Sequence, residues 1–135
     1  GGFSLIKDLY KSQVFSLVKW RNNNIPTNAN IIKNKLIPEN IIIKEPTAEL
    51  RFNQKDKDSL PEYEKLDKVL ELLIDKNYGI KQIKEFGYSE NMIKMIWEMI
   101  KKSEFKRYQS TIGPKISGMS FDKDRRFPIT NNFSI

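Results

Sequence analysis

Ile6, Tyr10, Val14, Leu17, Val18 and Trp20 recur at helical spacing, and the same period returns at Tyr63, Leu66, Val69, Leu70, Leu73 and Ile74 and again at Met92, Ile93, Ile96, Trp97 and Ile100. Stripes of that period bury one side of an α-helix, and no stretch alternates apolar and polar residues convincingly enough to mark a strand. The expected fold class of the chain taken alone is therefore mainly α. Asp8 is placed to cap the first helix, and "IPENIII" reads as a short helix entered through Pro38. Ser59 and Glu62 form an S-x-x-E capping box with Pro61 in the first turn, and Gly79 is expected to close the helix that follows. A short helix from Ile80 to Phe86 ends at Gly87, and Ser89 then caps one long helix, "ENMIKMIWEMIKKSEFKRYQ", whose basic end suits the helix dipole. A single layer of about five helices is thin for a core, so some of these apolar faces are expected to pack on further chain or on a second subunit.

Two regions lack a period. Residues 44–58 carry Pro46 and four acidic residues and read as a long surface loop, a length more often functional or disordered than idle. Everything after Gln109 is aperiodic and is expected to be an extended tail, so the chain divides into a helical part, 1–108, and a tail, 109–135.

Composition narrows the chemistry. The 135 residues include no cysteine and no histidine, which excludes disulfides, thiolate nucleophiles, Cys/His zinc sites and every triad with a histidine base. The net charge of +7 suits a polyanionic partner. It is dispersed, however, and lysines outnumber arginines 19 to 5, a pattern that an A/T-rich coding sequence produces without any binding surface. No apolar run approaches the ~20 residues of a membrane span and no signal-peptide pattern opens the chain, so no membrane partner and a cytoplasmic location are expected.

Three segments are candidate sites. In "DLYKSQV", Lys11 stands in a first helical turn, where the dipole disfavours a cation by a few tenths to ~1 kcal/mol. Either Asp8 offsets this cost and Lys11 is an ordinary solvated lysine, or the lysine and the unbonded N–H groups of the turn await a phosphate. Residues 80–100 have the spacing of a helix-turn-helix, the basis of an alternative reading as a basic DNA-binding module, but Glu90 and Glu98 on the outward face argue against contact with DNA. Glu49, Asp56 and Asp58 could offer oxygens to Mg²⁺, although exposed acidic loops are usually only solvated. Lys106 and Arg107 suit a dipole-matched helix end or a phosphate contact.

Four segments, "GGFSLIKDLYKSQVFSLVKWRN", "KEPTAELRFNQKDKDSLPEYEKLDKVLE", "SEFKRYQ" and "FDKDRRFPITN", occur in an order and spacing that resemble the C-terminal end of glutamine-dependent NAD⁺ synthetases. The resemblance covers nearly the whole chain. It implies the C-terminal helical portion of a Rossmann-like α/β domain of the ATP pyrophosphatase group, working as a homo-oligomer with Mg²⁺. The implied reaction uses ATP to adenylate the nicotinate carboxylate of deamido-NAD⁺, after which ammonia from a separate glutaminase domain displaces AMP. Residue by residue, the resemblance assigns Lys11 to the ATP phosphates, Thr47 of the P-[ST]-A-[DE]-L loop to the neighbourhood of ATP, and Lys106 to deamido-NAD⁺. Phe105 stands where the family usually has Tyr or His. Asp124 and Arg125 are implied to close over the dinucleotide.

Several family features are absent from these residues: the Ser-Gly-Gly-x-Asp-Ser phosphate loop, the upstream acidic metal ligand, and the Glu-Lys-Cys set of the glutaminase. Nor is there any G-x-x-x-x-G-K-[ST] or G-x-G-x-x-G loop. The chain is therefore expected to be the end of a longer enzyme, inactive alone, with most Mg²⁺ ligands elsewhere and no nucleic-acid partner.

Overall fold

The computed structural model describes residues 2–44, 60–120, 123–130 and 133. The described elements are helical: α1 (Lys11–Asn23), α2 (Glu39–Ile43), α3 (Tyr63–Leu70) running into a π-helical turn (Glu71–Asp75), α4 (Ile80–Glu85), α5 (Glu90–Lys102) and α6 (Glu104–Gln109). A lone parallel bridge joins Phe3 and Ile112. The chain groups into two compact units, one of residues 10–64 and the other combining residues 1–9 with 65–135.

In the unit of residues 10–64, the connection after α1 is organised by the last turn of that helix. Arg21 donates to the carbonyls of Asn24 (3.1 Å), Lys33 (3.1 Å) and Ile31 (2.9 Å). Asn22 pairs through its amide with both backbone groups of Ile37, at 2.8 and 2.9 Å. The polar "RNNNIPTNAN" stretch is thus wrapped around its first two residues. Pro38 stands at the N-cap of α2. No residue of α1 is buried: Leu17 and Trp20 are 44% and 49% exposed and Val14 and Val18 half-buried, while Ile6 and Tyr10 of the stripe read from the sequence precede the helix.

The core lies in the other unit. Leu66 and Val69 of α3, Leu72, Leu73 and Ile74 of the π turn, Ile83 of α4, and Ile93, Ile96, Trp97 and Ile100 of α5 are all buried. Along α5 these positions fall at i, i+3, i+4 and i+7, the spacing that keeps a single face inward. Ser89 caps the helix as expected, its hydroxyl accepting from the Met92 N–H at 3.3 Å.

Three boundaries differ from the sequence reading. Gly79 does not close the helix before it: Asn77 takes the left-handed conformation (φ 54°), and the Tyr78 N–H returns to the Leu72 carbonyl at 2.9 Å. Gly79 instead opens α4, where its N–H donates to Gln82 Oε1 at 2.9 Å. The long helix after Ser89 breaks at Ser103, whose hydroxyl donates back to the Ile100 carbonyl at 3.0 Å, so "EFKRYQ" forms a separate α6. Asp8, expected to cap α1, does not: the N-cap is Tyr10, and Gln13 Oε1 accepts the Tyr10 N–H at 2.9 Å. The Ser59 end of the expected capping box and the acidic loop of residues 44–58 (beyond Lys44) lie outside the described residues.

The tail is tied back to the start of the chain. Oδ2 of buried Asp8 accepts the N–H groups of Ile116 (2.7 Å) and Ser117 (2.8 Å) and the Ser117 hydroxyl (2.9 Å). Lys7 donates to the Thr111 carbonyl at 2.5 Å. Gly113 passes so near that a Cβ there would lie 2.4 Å from the Ser4 carbonyl oxygen, which explains a glycine at this position.

Candidate functional site

The sequence-predicted residues fall in both units: Lys11 in that of residues 10–64, and Lys106, Asp124 and Arg125 in the other. Thr47 lies outside the described residues.

Lys11 is the first residue of α1 and is exposed. Its Nζ stands 6.0 Å from the Phe15 ring centroid, a loose cation–π contact. The first turn of α1 contains no acidic residue, and the Asp8 carboxylate is spent on the tail amides. Asp8 does not cap this turn, and an exposed, solvated lysine fits the geometry as well as a phosphate contact does. The positive end of a 13-residue helix carries an added cation with no local carboxylate, an arrangement suited to an anion. A neighbouring concavity of about 740 Å³ within this unit is lined by Ser12, Phe15, Ser16 and Lys19 of α1 together with Ile42, Ile43, Glu62, Tyr63 and Glu64, but not by Lys11.

Lys106 is exposed in the middle of α6, beside Phe105, which is 42% exposed. Glu104, in the first turn of this helix, is buried and pairs with Arg107, also buried. Arg126 from the tail reaches the other Glu104 oxygen at 3.6 Å and lies 4.3 Å from the Tyr108 ring centroid. Tail and α6 thus meet around one carboxylate.

Asp124 and Arg125 hold the tail's own shape. Asp124 accepts the Ser120 N–H at 2.8 Å and pairs with Lys115 at 2.5 Å; Lys115 first, then the Ser120 amide, keep its carboxyl below the usual range. Arg125 donates to the Leu73 carbonyl and lies 5.4 Å from the Trp97 ring and 5.7 Å from the Phe127 ring. Those two rings meet edge-on at 5.2 Å. Burial, and then the charge of Arg107, lowers the Arg125 pKa. Both side chains are occupied within their unit. Sequence reasoning missed Glu104 and Arg126: only the adjacency of two arginines in "DRRF" and an acid opening "EFKRYQ" hinted at such a pairing.

The face of the 80–100 hairpin is poorly made for DNA. Glu90 bridges Lys94 (2.9 Å) and Lys84 (3.0 Å), and these two lysines pull its pKa down to about 2, so it stays an exposed anion. Among the described residues no three acidic side chains converge, and no helix is long and apolar enough to cross a membrane.

Residues 1–110 match the family described as NAD synthase. The chain belongs to that family. It is 44% identical over 133 residues to the glutamine-dependent NAD(+) synthetase of Thermotoga maritima, covering 98% of this chain and 22% of that protein. The Aquifex aeolicus glutamine-dependent NAD(+) synthetase matches with the same identity and the same coverage on both sides, 44%, 98% and 22%. A solved structure of the Acinetobacter baumannii glutamine-dependent NAD⁺ synthetase in complex with ADP is similar at 32% identity and a TM-score of 0.51, covering 97% of this chain and 21% of that one. The chain thus spans about a fifth of the length of the synthetases it matches.

Proposed function

We propose that these residues form the C-terminal part of an NAD⁺ synthetase. In the whole enzyme, ATP adenylates the nicotinate carboxylate of deamido-NAD⁺ with release of pyrophosphate, and ammonia derived from glutamine displaces AMP to give NAD⁺. The observation that carries this reading is the match of 98% of the chain to 22% of a glutamine-dependent synthetase. Leu17 and Trp20 of α1, 44% and 49% exposed, leave apolar surface that further chain or a partner subunit would cover. The same proposal includes a Rossmann-like ATP pyrophosphatase domain around these helices, a homo-oligomer, Mg²⁺ held mostly by residues elsewhere, and a cytoplasmic enzyme.

Within it, Lys11 receives the ATP phosphates and Thr47 lies by the nucleotide. Lys106 contacts deamido-NAD⁺ from α6. The role of Asp124 and Arg125 in closing over the dinucleotide runs through the tail segment they hold.

Two experiments test the reading. Lys106→Ala in the intact synthetase is expected to raise KM for deamido-NAD⁺ about tenfold, with KM for ATP and glutamine hydrolysis unchanged. An unaltered KM would remove Lys106 from the site. Residues 1–135 alone, supplied with ATP, Mg²⁺, ammonia and deamido-NAD⁺, are expected to form no NAD⁺, and turnover above background would overturn their dependence on the rest of the enzyme.

A further inference from the structure

At six residues, α6 is too short to sustain itself in water, yet it carries the lysine assigned to the dinucleotide. What holds it is Glu104, whose side chain is 1% exposed. A carboxylate at that depth is costly unless charged donors match it, and removing one partner leaves an uncompensated charge. Its two oxygens face arginines from different parts of the chain, although Oε1 accepts no hydrogen bond among the described residues. Oε2 pairs with Arg107 within α6, and Oε1 forms an ion pair with Arg126 of the tail at 3.6 Å. Arg107 also reaches back to the Ile100 carbonyl at 3.4 Å, fixing the angle at which α6 leaves α5. Arg126 stacks on Tyr108 at 4.3 Å, and the adjacent Arg125 is fastened to the Leu73 carbonyl in the core.

We propose that Glu104 is a positioning residue for deamido-NAD⁺ binding: through Arg107 and Arg126 it holds α6 and the tail as one piece and so presents Lys106 at a fixed place. This rests on the assignment of Lys106 to the dinucleotide. Lys106 itself is exposed, and its backbone N–H is bonded to the Ser103 carbonyl at 3.0 Å, in the turn that Glu104 anchors.

The test is steady-state kinetics of the intact synthetase. Glu104→Gln keeps the side chain's shape and removes its charge, and Arg126→Ala removes the tail partner, which is 31% exposed and so less exposed to failure of folding. Each is expected to raise KM for deamido-NAD⁺ about tenfold while leaving kcat and KM for ATP within about twofold. Combined with Lys106→Ala, neither should add a further increase, because all three act through one contact. A merely structural Glu104 would lower kcat and disturb KM for ATP together, or add its full effect to that of Lys106→Ala; either result overturns the proposal. If Lys106→Ala raises KM while Arg126→Ala and Glu104→Gln are silent, the proposal fails and the Lys106 assignment stands. If Lys106→Ala is silent while Glu104→Gln raises KM, both fail.

Discussion

Lys11→Ala in the intact synthetase is expected to lower kcat for NAD⁺ formation on the order of 100-fold, the usual effect of removing one donor from charge that develops in a transition state. The structural cost should be nil. Lys11 is exposed, its ammonium makes only a 6.0 Å approach to Phe15, and no acidic residue shares its turn. Removing a cation from the positive end of α1 should favour the helix by a few tenths of a kcal/mol. Activity and melting temperature are therefore expected to separate, with kcat falling while Tm stays level or rises slightly. Lys11→Arg keeps the charge on a broader, planar head and should recover part of the rate. A variant with wild-type kcat, or one that loses Tm along with rate, would mean that Lys11 does not serve the phosphates. Glutamine hydrolysis, measured in the same samples, reports whether the loss is confined to the synthetase reaction.

What could be read in the sequence was what is decided over three or four residues. Ile93, Ile96, Trp97 and Ile100 announce the buried face of α5 by spacing alone, and Ser89 announces its start. Pro38 before α2 is equally local. Failures came where a distant partner decides. Asp8 looks like a cap because it precedes a helix, yet its carboxylate goes to backbone 108 and 109 positions away. The break at Ser103 comes where the apolar period stops: Glu104 and Arg107 fall at the positions that would continue the buried face, and their meeting with Arg126 cannot be read from spacing. Asn77 closes a helix that Gly79 was better suited to close, because three consecutive buried residues, Leu72, Leu73 and Ile74, draw the chain into a π turn before the glycine is reached. The stripe read from Ile6 to Trp20 is not a buried face of α1: Ile6 and Tyr10 precede the helix, and Leu17 and Trp20 are exposed. The candidate site divides in the same way. Lys11 could be picked out by its misfit with the dipole, whereas the grouping of Glu104, Arg107 and Arg126 depends on how the tail returns to α6.

The second large effect is expected at Asp8. Its Oδ2 gathers three donors in a buried setting, so Asp8→Ala leaves the N–H groups of Ile116 and Ser117 without an acceptor and should cost about 3 kcal/mol locally. In the intact enzyme this should appear as a roughly 100-fold loss of hydrogen-exchange protection at those two amides, with α5 unaffected. The effect should also depend on pH. Burial raises the Asp8 pKa, but the bonds from the Ser117 and Ile116 amides and the serine hydroxyls outweigh it, and the net shift is downward. The folded protein therefore holds the Asp8 proton less tightly than the unfolded chain, whose carboxyl titrates near ~3.9. The contribution of Asp8 is complete above that value and is lost as pH falls through the lower folded pKa. Asp124, whose charge acts on the same region, is also depressed, by Lys115 and the Ser120 amide, and so adds a loss of the same sign. Asp8→Asn separates the two: it retains a neutral acceptor for the tail amides, so its protection should be weaker at neutral pH and should fall less on acidification than that of the wild type. Equal acid sensitivity in Asp8→Asn and wild type would assign the whole transition to Asp124 and its lysine.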